Sequence, residues 1–218
     1  YKTQGLYAIN HEPFGYSRHF ETVIKNFQDG ARIFHLDDKM TSRDADSLTR
    51  MLPLAIFDAK NDGSSTIKLA HTQALLTHSN PINGICAAIY GQWVKNLVNG
   101  VSNPFVRAVN MLLELYNEDC RALVVKEILR KKGSISQNDV VECLMNTYEI
   151  VSHTHSYHEA VIEAVKRGNQ TSSLASAVGS IAGLMYGYQE IPGKWIALLR
   201  GQETVENLLK RFEAEIGA

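Results

Sequence analysis

Charge of one sign is missing from this chain: 22 Lys and Arg are set against 23 Asp and Glu among 218 residues, for a net charge of −1. A basic footprint for the phosphates of nucleic acid or of an anionic membrane surface is therefore lacking, and neither partner is expected. Long apolar runs are missing as well. The longest, such as residues 52–57, fall far short of the ~20 residues that a membrane-spanning helix requires, and no signal-type apolar segment opens the sequence. Cysteine is scarce. Cys86, Cys120 and Cys143 are odd in number and form no C-x-x-C pair, which suits buried thiols in a reducing compartment; the expected location is the cytoplasm. There is no G-x-x-x-x-G-K, no G-x-S-x-G and no H-E-x-x-H, so the common nucleotide, serine-hydrolase and zinc-protease signatures are excluded. Tyr1 stands where a Met would open a complete product, and the chain reads as a processed or truncated piece of something longer.

What is present is globular. Hydrophobic residues make up 44% and charged residues 21%, close to the averages of folded soluble domains. From about Ser17 onward apolar residues recur at three and four positions, and the breaks carry Gly, Pro, Asn or Asp, which predicts successive helices and no strands. Asp29-Gly30 closes the first, Ser64-Ser65 caps one that runs through Leu75, and Pro81 opens one that Asn99-Gly100 closes. Asn103-Pro104 starts another, Ser136 caps residues 140–150, Ser156 caps residues 157–165, Pro192 opens residues 195–199 and Thr204 opens the last. About eleven helices in one all-α domain, spanning residues 1–218 and with residues 1–16 as an irregular arm, is the simplest organisation; no repeat of fixed period and no low-complexity linker divides it.

The most unusual stretch is Gly168-Asn169-Gln170-Thr171-Ser172-Ser173, followed by Gly179, Gly183 and Gly187. Glycine costs ~1 kcal/mol relative to alanine inside a helix, so three on one face predict a close neighbour, and the helix of residues 171–187 is expected to be buried and central. The polar hexad at its start offers side-chain groups and free N–H groups to an anion or a sugar. His153, His155 and His158 do not share a helical face, and no cysteine adjoins a cationic segment, so neither a zinc site nor a thiolate nucleophile is supported.

Taken in order, residues 157–165 (YHEAVIEAV), the hexad, the glycine spacing, Tyr186-Gly187, Ile191-Pro192 and Trp195 resemble the C-terminal signature of the ADP-ribosylglycohydrolase family, which writes the hexad as G-G-D-T-D-T. Arg50-Met51-Leu52-Pro53-Leu54 resembles the family's M-R-x-x-P-L, and Leu76-Thr77-His78 its L-T-H, at the family's spacing; the similarity covers roughly residues 40–200. It implies a compact multi-helix fold whose members remove ADP-ribose with two divalent cations, held by a T-D-D-T near the N-terminus and by the hexad. Carried over residue by residue, the two hexad aspartates fall on Gln170 and Ser172, while Thr171 is retained and Ser173 takes the place of the last threonine. Neither an amide nor a hydroxyl supplies the lost charge, so no metal site and no cofactor is expected, Mg²⁺ or Mn²⁺ belonging only to the alternative of an active divergent hydrolase. Asp37-Asp38-Lys39-Met40 imitates the T-D-D-T but lies too close to Arg50 and reads as a solvated loop.

The family's glycine-rich phosphate loop falls at residues 43–47, which contain no glycine. The resemblance implies a ligand pocket among Arg43, Asp46 and Ser47, the helix end at Thr77 and His78, and the helix start at Asn169, Gln170, Thr171, Ser172 and Ser173. A nucleotide-like or glycosidic small molecule is the implied ligand. An oligomeric partner or an upstream segment would complete the fold, and a T-D-D-T upstream would revive the hydrolase. His78 and Arg43 each keep a plain alternative, a buried or capping histidine and a surface arginine.

Overall fold

The computed structural model describes residues 18–30, 42–59, 63–129, 139–168 and 171–217, and every element among them is helical. In chain order they are α1 (Arg18–Gln28), α2 (Asp46–Thr49), α3 (Met51–Phe57), α4 (Gly63–Leu75), α5 (Pro81–Val98), α6 (Pro104–Leu115), α7 (Glu118–Leu123) continued by a π-helical segment (Val124–Leu129), α8 (Val140–His153), α9 (Tyr157–Lys166), α10 (Thr171–Tyr186), α11 (Gly193–Leu198) and α12 (Gln202–Ile216). Residues 17–190 form one compact unit, and residues 191–218, with α11 and α12, belong to a second. The arm at 1–16, the Asp37–Met40 sequence and Ser136 lie outside the described residues.

Helix α5 is the centre of the large unit. Asn80 caps it, its side chain accepting from the Ile82 N–H at 3.1 Å, Pro81 fills the first turn where no donor is needed, and Gly100 ends it at φ +65°. Every residue from Ile82 to Asn96 is buried, polar Asn83, Gln92, Lys95 and Asn96 included, so this helix is covered on all sides. Helices α2, α3, α4, α6, α7, α8 and α10 supply that cover. Tyr90, fully buried, still places its hydroxyl, donating to the Ala177 carbonyl on α10 at 3.1 Å.

That arrangement corrects the expectation that α10 is the buried central helix. Only its stripe of Leu174, Ala177, Val178, Ile181 and Ala182 is buried. Its glycines also do different things. A Cβ on Gly179 would lie 3.2 Å from the Tyr157 hydroxyl on α9 and one on Gly183 only 3.9 Å from the same ring, whereas Gly187 has φ +90° and no atom within 4 Å, so it terminates the helix instead of packing against a neighbour. The cap of α8 is Asp139, whose carboxylate accepts from the Val141 N–H at 2.8 Å. α4 begins at Gly63, ahead of its expected serine cap; Pro192 caps α11 from outside, and α12 begins at Gln202 after Gly201. Cys86 and Cys143 are buried thiols, but Cys120 is only half-buried.

Candidate functional site

The segment at residues 42–50 is held by three helices at once. Arg43 donates from Nη2 to Glu127 Oε2 at 3.1 Å, and its Nε lies 2.7 Å from Asp139 Oδ2. Its own carbonyl accepts from the Val140 N–H at 2.6 Å, which fastens the loop to the start of α8. Burial alone would lower the Arg43 pKa, but the two carboxylates outweigh it and raise it. The guanidinium that a phosphate was expected to meet is thus shared between two carboxylates of the protein itself.

Beneath the loop lies a buried chain of donors and acceptors. Arg50 Nη2 donates to Thr77 Oγ1 at 2.7 Å, Thr77 Oγ1 lies 2.7 Å from His78 Nδ1, and His78 Nε2 lies 2.5 Å from Asp44 Oδ1. A carboxylate only accepts, so Nε2 carries a proton facing Asp44, while the Thr77 hydroxyl, already receiving from Arg50, donates to Nδ1 when the ring is neutral and accepts from it when the ring carries both protons and the charge. Asp44 takes a further bond from Ser42 Oγ at 2.9 Å. Burial pushes the Asp44 carboxyl up, yet the hydrogen bond and charge of His78, the Ser42 bond and the charge of His19 prevail and hold it down at about 2. For Arg50, desolvation dominates and lowers the pKa despite Asp46 and Asp44 nearby. His19 on α1 closes the top, donating from Nε2 to the Thr77 carbonyl at 2.6 Å with its ring 4.7 Å from that of His78.

Of the sequence-predicted residues, the structure therefore brings Arg43, Ser47, Thr77 and His78 into one neighbourhood. Ser47 is fully buried; its hydroxyl accepts from Asn83 Nδ2 at 3.1 Å and its carbonyl from Gln73 Nε2 at 2.8 Å. His78, 1% exposed, has both ring nitrogens engaged. Asp46 is half-buried at the start of α2. Helix α10 packs on α2, but none of the bonds of this network reaches Thr171, Ser172 or Ser173; Ser172 is exposed and the other two are half-buried. Asn169 and Gln170 lie outside the described residues. Asp44, Gln73, Asn83 and Asp139 were not singled out in the sequence, where they read as ordinary polar helix and loop residues. Asn83 is notable: its Nδ2 serves Asp44 O and Ser47 Oγ, while its fully buried Oδ1 has no donor among the described residues. Among the described residues no group of three His, Cys, Asp or Glu side chains is placed to hold a metal, and no helix is long and apolar enough to cross a membrane.

A wholly helical unit built round one buried helix, with a polar loop network at that helix's N-terminal end, defines the class of fold, and a solved structure of an ADP-ribosylglycohydrolase-related protein complex shares it, with a TM-score of 0.70 at 16% identity over 92% of this chain and 67% of that one. The family profile of ADP-ribosylglycohydrolase matches residues 1–218, and the chain belongs to that family. It is similar to the ADP-ribosylarginine hydrolase Tri1 of Serratia proteamaculans, 27% identical over 188 residues, which cover 84% of this chain and 50% of that protein. It is also similar to the ADP-ribosyl-[dinitrogen reductase] glycohydrolase of Rhodospirillum rubrum, 23% identical over 127 residues, or 58% of this chain and 41% of the relative. The chain thus spans half or less of the length of these two relatives.

Proposed function

We propose that this chain is an ADP-ribosylglycohydrolase-fold module that has lost the two-metal hydrolytic site and binds an ADP-ribosyl-like, nucleotide or glycosidic group. The observation that carries this reading is the hexad, where the family resemblance calls for carboxylates and the sequence has Gln170 and Ser172. The donors left at the start of α10 are hydroxyls, with Ser172 facing solvent. Hard divalent cations want anionic oxygens, so this donor set does not fit them. Hydroxyl donors and the N–H groups of the α10 N-terminus suit instead the hydroxyls and phosphates of a sugar nucleotide. In this reading Thr171, Ser172 and Ser173, with Asn169 and Gln170, face the ligand, Asp46 borders it, and Arg43, Ser47, Thr77 and His78 fix the wall behind. The scarcity of cysteine and the absence of a C-x-x-C pair support a reducing, cytoplasmic setting in this reading.

Two measurements test the proposal. Calorimetric titration with Mn²⁺ should show no saturable uptake, and uptake at micromolar to millimolar concentration overturns the metal-free reading in favour of the divergent hydrolase, the alternative that the similarity to Tri1 keeps in view. Thermal melts should shift upward with ADP-ribose, by the equivalent of about 2.7 kcal/mol at ~100 times the dissociation constant. A melt indifferent to ADP-ribose removes the binding function and leaves a structural homologue.

A further inference from the structure

The other end of α5 carries a pocket that plays no part in the polar network. Trp93 follows Asn83 by ten residues, or ~15 Å along the helix axis. There a cavity of about 390 Å³ opens between α5, α6, α8 and α10, its floor formed by Trp93, Phe105 and Tyr148 and its walls by Leu97, Val106 and Met185. Cavities of this size accommodate small organic ligands. The floor is rigid: Phe105 and Tyr148 stack with centroids 4.0 Å apart and planes at 15°, and Trp93 stands edge-on to both, at 5.0 and 6.0 Å. Trp93 is 2% and Phe105 7% exposed, so these rings are locked by packing before any ligand arrives. The rim, by contrast, presents apolar side chains to water, with Val106 47% and Met185 43% exposed.

Two features make this more than a surface dent. No residue lining it carries a charge, in a chain where one residue in five does. Its polar groups are few: Asn103, whose side chain does not cap α6, and the exposed Ser152, whose hydroxyl donates to the Tyr148 carbonyl and remains able to accept. Asn103 is also the one non-glycine among the described residues with positive φ, at 50°, and the loop that carries it is pinned by Asn96 Nδ2 donating to the Pro104 carbonyl at 2.8 Å. We propose that this pocket is a second ligand site, separate from the Asp44 network, for an uncharged planar aromatic molecule that lies on the Trp93–Phe105–Tyr148 floor. An aromatic face meets ring edges and ring faces, an uncharged lining rejects an ion that would lose its water without a counter-charge, and one or two edge hydrogen bonds orient the ring.

Quinoxaline, an uncharged planar bicycle, is a suitable probe, and Trp93 emission in a Trp195→Phe background reports its arrival. The expected result is saturable quenching with a dissociation constant of about millimolar or tighter, with quinoxaline-2-carboxylate at least tenfold weaker and saturating ADP-ribose without effect on either. Val106→Phe and Met185→Phe, which fill the mouth from two different helices at exposed positions, should each weaken quinoxaline at least tenfold while the thermal midpoint holds; if one of them unfolds, the other decides. The proposal is overturned if quenching does not saturate, if the carboxylate binds as well as the neutral ring, if ADP-ribose competes, or if a folded mouth variant binds quinoxaline as the parent does.

Discussion

Replacing His78 by alanine removes the ring on which the Asp44 network turns, and its consequences can be worked from the bonds. The Nε2–H bond to a buried carboxylate is of the charged kind, ~1.5–3 kcal/mol, and the Thr77 bond to Nδ1 adds ~0.5–1.5. Asp44 keeps Ser42 but is left 8% exposed without its main partner, and an uncompensated buried charge is the costly case. A loss of about 3–4 kcal/mol at neutral pH is expected, a large share of the ~5–15 kcal/mol by which domains are stable. The pH dependence identifies the cause. Asp44 titrates at about 2 in the folded chain against 3.8 for the free group, so it contributes stability above about pH 4 that disappears as the pH falls toward 2. In His78→Ala the principal downward influence is gone while burial still pushes the carboxyl up, so that acid-side loss is removed. The stability gap between parent and variant should therefore narrow by about 2 kcal/mol from pH 5 to pH 2. Urea melts across that range measure it; a gap under 1 kcal/mol at pH 7, or one indifferent to pH, refutes the reasoning.

Four further substitutions probe the packing. A Cβ on Gly84 would fall 2.4 Å from His71 Nδ1, and His71 cannot swing away without breaking its 2.7 Å bond to the Tyr116 hydroxyl, so Gly84→Ala should lower the denaturant stability by about 1–3 kcal/mol. Gly183→Ala should be neutral or stabilise by up to ~1 kcal/mol because its Cβ meets only ordinary contact, while Gly187→Ala, forced to keep φ +90°, should lose about 1 kcal/mol; thermal melts showing the reverse order would disprove the roles assigned to the two. Lys95 is 5% exposed, with Nζ 3.0 Å from the Asp58 carbonyl and 3.6 Å from its carboxylate, so Lys95→Met should cost about 3 kcal/mol or more in a urea melt and a neutral result would show the pair to be dispensable.

Local chemistry made much of the helical order readable. Asn80-Pro81 and Asn99-Gly100 bracket α5, and Ser156 caps α9 by accepting from the Glu159 N–H at 3.1 Å, because caps act within a few residues of where they are written. Centrality was not readable in the same way. The glycine spacing drew attention to α10, but burial is set by how many neighbours surround a helix, and α5, covered by seven others, is the core. The site was legible only as far as the motifs reached. Thr77 and His78 were found as a pair, yet Asp44 and Arg50, which complete the chain of bonds through them, lie 34 and 27 residues from their partners. Arg43 read as a ligand-binding group or as a surface cation, because nothing near it in sequence reveals Glu127, 84 residues away. Long-range pairing of this kind leaves no periodicity to read.

The π-helical segment Val124–Leu129 bears on the history of the chain. A π turn holds one residue more than the α-helical path between the same two ends requires, and such turns occur often at functional sites. Here the extra residue lies where Val124 and Ile128 are both buried and Glu127 reaches Arg43. A one-residue deletion in this stretch would restore a regular helix and leave its flanks in phase, whereas the same deletion in α5 would rotate every following residue by ~100° about the axis and turn a fully enclosed helix out of register. A residue lost from the segment that carries Glu127 would therefore leave the helices around it in place and re-aim the carboxylate that holds the loop at residues 42–45.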